Sequence, residues 1–413
     1  MSEKMILTGN HAAAYACKGA RVGVVAAYPI TPQSPVVEKI ATFVESKEMP
    51  ETQFIRVESE QSAMAAVIAA SITGSRTFTA SSSHGLALMN ELLGWAAGNR
   101  APIVMCIATR ALGAPWSVWT DHQDSISVRD TGWLQLYCED NQEIYDTVLQ
   151  AYRIAEDPDI NLPTFVCYDG YILSHTLMPV QVEGQDLVDG FLPPFRNYIR
   201  LADTKNPTGL SPVTTPYPIL RPEGTAPGYI EYRWAMTKAL ERSHQKIQEV
   251  HDAFAKQFGR QYGNGIYKTY KMEDAELALF AMGSVACEAR LSVDQLRKEG
   301  IKAGVVSLKV FRPFPVKFLR EVMKDVKTVA VFDRDVGYGY EGVLAYELRA
   351  ALYGLSNAPY VKGFIVGLGG RDILADHLVN GAKRAMLARE KGEEVDGKTE
   401  WLGLLLDQLT DIK

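Results

Sequence analysis

Two stretches of this 413-residue chain alternate short apolar runs with segments whose apolar residues recur at helical spacing. In the first, Arg21–Tyr28 (RVGVVAAY) reads as a strand buried on both faces. Val36, Val37, Ile40, Phe43 and Val44 then mark a helix. Gln53–Val57 follows as a strand, Gln61–Ile72 as an Ala-rich helix closed by Gly74, and Arg76–Ala80 as a strand. His84–Ala97 is a helix, Pro102–Ala108 a strand, Glu143–Ala155 a helix and Leu162–Cys167 a strand. The second stretch begins at Glu276. Its strands are Leu277–Met282, Ala303–Leu308, Thr328–Phe332 and Phe364–Val366, with helices near Ala286–Glu299 and Gly342–Tyr353. A helical crossover between two strands leaves them parallel. The alternation therefore predicts an α/β fold of two doubly wound, mainly parallel sheets with helices on both faces.

What separates the two stretches is proline. Nine of the twenty prolines lie between Pro179 and Pro227. Each removes a backbone donor, so a linker or an arm that wraps a neighbour is expected there. Tyr232–Phe258 then reads as a charged amphipathic helix with Ile247, Val250 and Phe254 on one face. The chain divides accordingly into an α/β domain at 1–178, an arm and helix at 179–260, and a second α/β domain at 261–413.

Composition narrows the function. Hydrophobic residues at 47% are ample for two cores, and a net charge of −6 supplies no basic face for nucleic acid or an anionic membrane. The opening MSEKMILTGN lacks the apolar core of a signal peptide, and no apolar run approaches the ~20 residues that span a bilayer. A soluble cytoplasmic protein is expected. The five cysteines, at 17, 106, 138, 167 and 287, include no CxxC pair. They read as buried core thiols rather than a disulfide framework or the ligands of an iron–sulfur cluster. No His, Asp or Glu cluster has metal-ligand spacing.

Open parallel sheets bind ligands beyond the carboxyl ends of their strands. Four such ends are legible: Tyr28-Pro29-Ile30-Thr31-Pro32, Val57-Glu58-Ser59-Glu60, Ser81-Ser82-Ser83-His84-Gly85 and Thr109-Arg110-Ala111-Leu112-Gly113. Together they bring a hydroxyl, a carboxylate and a guanidinium to one sheet edge, a pocket suited to a small anion and to proton transfer.

The strings YPITP at 28–32, ESE at 58–60, SSSHGLALMNE at 81–91, RALGAP at 110–115, DHQDS at 121–125, RDTGW at 129–133 and DGYILSHT at 169–176 are joined further on by VFRPFP at 310–315 and IVGLGGRD at 365–372. In this order and over nearly the whole chain, the set resembles the alpha subunit of pyruvate:ferredoxin oxidoreductase and its 2-oxoacid relatives. The resemblance implies a thiamine-diphosphate-enzyme fold, with a pyrimidine-binding domain first and a transketolase C-terminal-like domain second. It implies a CoA-acylating oxidation of a 2-oxoacid. The cofactor attacks the oxo carbon, carbon dioxide leaves, electrons pass to iron–sulfur clusters and coenzyme A takes the acyl group.

Residue by residue, the resemblance makes Glu60 the carboxylate that bonds the pyrimidine N1′ and promotes the imino form that serves as base, with Pro29 and Ile30 beside the cofactor. Glu58 is the neighbouring competitor. Arg110 and Thr31 match the contacts to the substrate carboxylate, which a guanidinium can grip through two hydrogen bonds. No GDG string occurs in the chain. The Mg²⁺-bound diphosphate half of the site is therefore expected from a beta subunit, with gamma and ferredoxin-like iron–sulfur delta subunits and an external ferredoxin or other acceptor completing the system. The glycines of Gly337-Tyr338-Gly339 and Gly367-Leu368-Gly369-Gly370 read as turns and close packing.

Pyruvate is the expected substrate. Three departures border the pocket, namely His84, Gly113 and Trp116. Gly113 makes room and Trp116 can stack on a ring, so an aryl 2-oxoacid such as phenylglyoxylate is the alternative. A non-catalytic scaffold, or the transketolase-like half of a lipoamide-dependent dehydrogenase, are readings from other classes.

Overall fold

The computed structural model describes residues 2–196, 215–221, 224–395 and 400–406. Part of the proline-rich arm, 197–214 and 222–223, lies outside the described residues. Seven strands form the first sheet, in the order Val310–Arg312, Leu134–Tyr137, Thr164–Asp169, Val104–Thr109, Thr77–Ser81, Val24–Ala27 and Gln53–Arg56. All its pairs are parallel except that of Val310–Arg312 with Leu134–Tyr137. The six-stranded second sheet runs Tyr267–Tyr270, Ala303–Leu308, Leu277–Met282, Thr328–Asp333, Tyr360–Ile365 and Glu400–Trp401. It is parallel apart from its first strand. The central strands of both sheets are buried at every residue. This is why they read as continuous apolar runs rather than as alternating ones.

Helix entry is set by side chains that accept the free N–H groups of the first turn. Thr8 caps helix Gly9–Gly19, Ser59 caps Glu60–Ile72 and Asp140 caps Asn141–Ala155. Tyr229–Phe258 is a single 30-residue helix ended by Gly259 in the left-handed conformation, and Ile247, Val250 and Phe254 are its buried face.

Four features differ from the sequence reading. Glu3–Leu7 pairs antiparallel with Met178–Val182, so the boundary drawn at residue 178 falls inside a strand, and the start of the arm belongs to the first domain. Helix Gln185–Phe191 continues that regular structure, where a linker was expected. His84–Ala97 is two helices, Ser83–Leu88 and Asn90–Gly98, meeting at Met89. Val310–Arg312 leaves the second domain to extend the first sheet. At three residues it is too short to carry a period of two, and no pattern could announce it.

That exchange creates a buried charged seam. Lys309 Nζ donates to Glu143 Oε1 at 2.7 Å and to Thr147 Oγ1 at 2.8 Å. Lys268 Nζ lies 2.8 Å from Glu143 and 2.9 Å from Glu139. Burial pushes the Glu143 carboxyl up, but the two ammonium groups outweigh it and hold its pKa at about 2. Arg260, just past the long helix, pairs with Asp146 at 2.7 Å and Glu183 at 2.6 Å on the same side.

Candidate active site

The four expected strand ends lie side by side, because the strands that precede them are neighbours in one parallel sheet. Glu60 is the first residue of its helix and is buried, whereas Glu58 is exposed and accepts a hydrogen bond from Ser62 Oγ. No protein donor reaches the Glu60 carboxylate among the described residues. Helix Ser83–Leu88 presses against it. A Cβ on Gly85 would lie 2.5 Å from Glu60 Oε1 and 2.5 Å from Ser81 Oγ, so only glycine fits. Ser81 Oγ is itself buried without a hydrogen-bond partner. A buried acceptor and a buried hydroxyl, neither satisfied among the described residues, fit a ligand that offers a ring nitrogen and an amino group.

The Tyr28–Pro32 turn is pinned from beneath. Ile30 O accepts from Gln33 N at 2.9 Å, Gln33 Nε2 donates to Ala80 O at 3.0 Å, and Asn10 Nδ2 donates to Pro32 O at 2.8 Å. Pro29 and Thr31 stay exposed on top, and Ile30 is half-buried. Arg110 Nη1 donates to Thr31 O at 2.8 Å and Nε to Ser117 O at 3.1 Å. Thr31 and Arg110 therefore meet through the threonine carbonyl. Burial draws the Arg110 pKa below its ordinary value, against the attraction of Asp124 and Tyr171. Among the described residues no ion pair neutralises this guanidinium.

The three bordering residues form one cluster. His84 Nε2 accepts from Gly113 N at 3.0 Å, and its ring lies 4.5 Å from the Trp116 ring, centroid to centroid. Arg110 lies 5.7 Å from the centroid of the same indole, which is 74% exposed. A Cβ on Gly113 would sit 3.3 Å from His84 Cε1 and Nε2, so the glycine lets the His84 ring pack closely against it.

The second domain supports the same loop. Ala111 N donates to Trp119 O at 3.0 Å, closing the excursion, and Gly370 N donates to Thr120 O at 2.8 Å. Gly370 has φ +76°, and a Cβ would lie 2.4 Å from Trp119 Cβ. Close packing explains this part of the GLGG string, as its sequence suggested. Beneath it His122 Nε2 lies 2.7 Å from Asp169 Oδ1, and Asp169 also accepts from Ser284 N at 2.8 Å. Burial raises the Asp169 pKa, but Arg334 and His122 prevail and hold it well below the ordinary value.

Residues 15–251 match the family model described as pyruvate flavodoxin/ferredoxin oxidoreductase, thiamine diphosphate-binding, and residues 275–378 match pyruvate:ferredoxin oxidoreductase core domain II. The chain is 46% identical over 401 residues to the ketoisovalerate oxidoreductase subunit VorA of Pyrococcus horikoshii, covering 97% of this chain and 98% of the relative. It belongs to the alpha subunits of the 2-oxoacid:ferredoxin oxidoreductases. A second relative of this family, the pyruvate synthase subunit PorA of Methanocaldococcus jannaschii, is 44% identical, covering 98% of this chain and 99% of the relative. The 2-oxoglutarate:ferredoxin oxidoreductase of Magnetococcus marinus, solved with 2-oxoglutarate, coenzyme A and succinyl-CoA, has the same fold, at a TM-score of 0.69 and 20% identity. The match covers 93% of this chain and spans 65% of that longer one.

Two site residues of this alpha subunit escaped sequence reasoning. Asn10 sits in a helix that was not read at all. Asp124 was visible only as part of the DHQDS string, yet its buried carboxylate accepts from Ser83 N at 2.8 Å, Arg110 N at 3.0 Å and Ser125 N at 2.6 Å. An aspartate that follows two strand ends by some tens of residues gives no local signal. Only the fold brings it under them.

Proposed function

We propose that this subunit supplies the pyrimidine-binding and substrate-carboxylate halves of an active site that oxidatively decarboxylates a small aliphatic 2-oxoacid to its acyl-CoA. The observation that carries the reading is the un-neutralised guanidinium of Arg110 at the same sheet edge as the un-bonded carboxylate of Glu60. Bound thiamine diphosphate supplies the nucleophilic carbon and the electron sink for decarboxylation. Glu60 accepts the N1′–H of the pyrimidine and so favours the imino form, whose exocyclic nitrogen serves as base. Pro29 and Ile30 form one wall beside the cofactor. Arg110 orients the substrate carboxylate, and the Thr31 carbonyl and Trp116 ring hold the guanidinium in place. His84 shapes the substrate side by fixing Gly113 and Trp116.

The diphosphate, with its Mg²⁺, is held by a beta subunit, and electrons leave through iron–sulfur clusters of a ferredoxin-like delta subunit to ferredoxin or another acceptor. A gamma subunit completes the assembly, and coenzyme A is the co-substrate. This division of labour rests on the missing GDG string. It makes the isolated chain inactive, and turnover by the purified chain alone would overturn it.

Within the 2-oxoacids, pyruvate and its branched-chain analogue ketoisovalerate are favoured over phenylglyoxylate. Two relatives that match almost end to end are named for the first two, and the His84 ring approaches Gly113 closely. The test is an anoxic assay of the native complex with CoA and a dye acceptor, offering pyruvate, ketoisovalerate and phenylglyoxylate in turn. Preference for an aliphatic acid is expected. Preference for phenylglyoxylate would reverse the substrate assignment, and no oxidation of any 2-oxoacid would reject the activity. Metal and labile-sulfide analysis of the same complex distinguishes iron–sulfur partners from a lipoyl-domain partner.

A further inference from the structure

We infer that Asp124 is a positioning residue that locks the cofactor-facing and substrate-facing halves of the site to one another. The inference rests on the reading of Glu60 and Arg110 given above. One oxygen, Oδ2, accepts both Ser83 N at 2.8 Å and Arg110 N at 3.0 Å. Ser83 opens the helix whose Gly85 packs on the Glu60 carboxylate, and Arg110 carries the guanidinium. A single atom thus fixes the spacing of two strand ends that bear the two functional groups. The other oxygen accepts Ser125 N at 2.6 Å, which holds the carboxylate in register.

Backbone strain shows that the tie is under constraint. Ser83 is not glycine, yet its φ is +47°. Such a residue persists only where its surroundings hold it. Here they are the Asp124 carboxylate on its N–H and Ala111 O, which accepts Ser83 Oγ at 2.6 Å. Both restraints lead to the Arg110 loop. Asp124 touches neither the Glu60 nor the Arg110 side chain, so its part in the reaction is to place them. The charged and titratable groups that face it are Asp121 on its own segment, Arg110, and Tyr137 and Cys167 from the strands beneath.

Asp124→Ala and Asp124→Asn variants of the full complex, together with hydrogen exchange on the full-length chain, test the assignment. Asp124→Ala is expected to speed exchange in peptides holding the Ser83 and Arg110 amides. It is also expected to raise KM for the 2-oxoacid about tenfold or more, as follows when a carboxylate contact made equally in ground and transition states is misplaced. Asp124→Asn keeps one acceptor oxygen for both amides and should restore most of both properties, leaving a KM increase of about two- to fivefold. A merely structural role would lower the melting temperature without splitting KM from kcat and without rescue by asparagine. Wild-type KM and kcat in an assembled Asp124→Ala complex would overturn the inference, as would unchanged exchange at the two amides. If the alanine variant does not fold, Asp124→Leu, which keeps the volume and offers no acceptor, takes its place, and a wild-type KM or unchanged exchange at the two amides in that variant overturns the inference equally. A wild-type complex that oxidises no 2-oxoacid rejects the functional reading instead, while the exchange result still reports on the tie.

Discussion

Glu60 and Glu58 are two residues apart and chemically near-identical, yet the fold gives them opposite surroundings. Glu58 is exposed and bonded by Ser62, whereas Glu60 is buried with no protein donor among the described residues. Glu60→Gln keeps the shape and removes the charge proposed to draw the N1′ proton. It should lower kcat by about 10²–10⁴-fold, the usual cost of one positioned proton-transfer group, with the complex still assembled. Steady-state kinetics beside size-exclusion chromatography measures both, and activity within twofold of wild type would move the role to another carboxylate. Arg110→Ala should raise KM for the 2-oxoacid with a smaller fall in kcat, as expected when a contact is made equally in ground and transition states. An unchanged kcat/KM for every 2-oxoacid tested would remove Arg110 from the site.

At the scale of elements, the site depends on how closely helix Ser83–Leu88 approaches helix Glu60–Ile72. Gly85→Ala would place a methyl 2.5 Å from Glu60 Oε1. The carboxylate must move, and a displacement of roughly 1 Å costs about 10²-fold in rate. The expected result is a kcat/KM lower by about that factor, with a lowered melting temperature as well, because the methyl also meets the buried Ser81 Oγ at 2.5 Å. An equally active Gly85→Ala enzyme would mean that Glu60 does not need its present position. The same scale shows what the sequence made legible. The strands Leu277–Met282 and Ala303–Leu308 are found with the bounds their apolar runs suggested, since buried parallel strands announce themselves by composition. The four strand ends of the site followed from topology. What stayed hidden is non-local. Glu3–Leu7 is half-exposed and meaningful only through its pairing with Met178–Val182, and Val310–Arg312 only through Leu134–Tyr137. No sequence pattern shows that the Gly113 amide bonds the His84 ring across 29 residues.

For the whole molecule, the second domain contributes no strand end to the site, but it holds the loop that carries Arg110. Gly370 supports Trp119, and the Glu143, Lys309 and Lys268 seam keeps the domains in register. Lys309 is the residue immediately before the exchanged strand, so the ion pair and the shared sheet are coupled in sequence as well as in space. Lys309→Met removes one cation from a fully buried carboxylate. Breaking a buried pair this way costs about 3–5 kcal/mol, with the lower end expected here because Lys268 remains. Acid sensitivity should change in step. The Glu143 pKa is depressed in the folded state to about 2 from an ordinary 4.5. Its contribution is therefore complete above pH ~4.5 and lost as pH falls toward ~2. With one ammonium gone the folded-state pKa rises, so the Lys309→Met protein should begin to unfold at higher pH than wild type. Urea unfolding at pH 7 and an acid titration from pH 5 to 2 read the two effects separately. If the seam also steadies the Arg110 loop, KM for the 2-oxoacid rises in the variant at pH 7, where the protein is still folded. A stability loss below 1 kcal/mol together with an unshifted acid limb would mean that apolar packing alone joins the domains and that the charges at the seam are neutral to its strength.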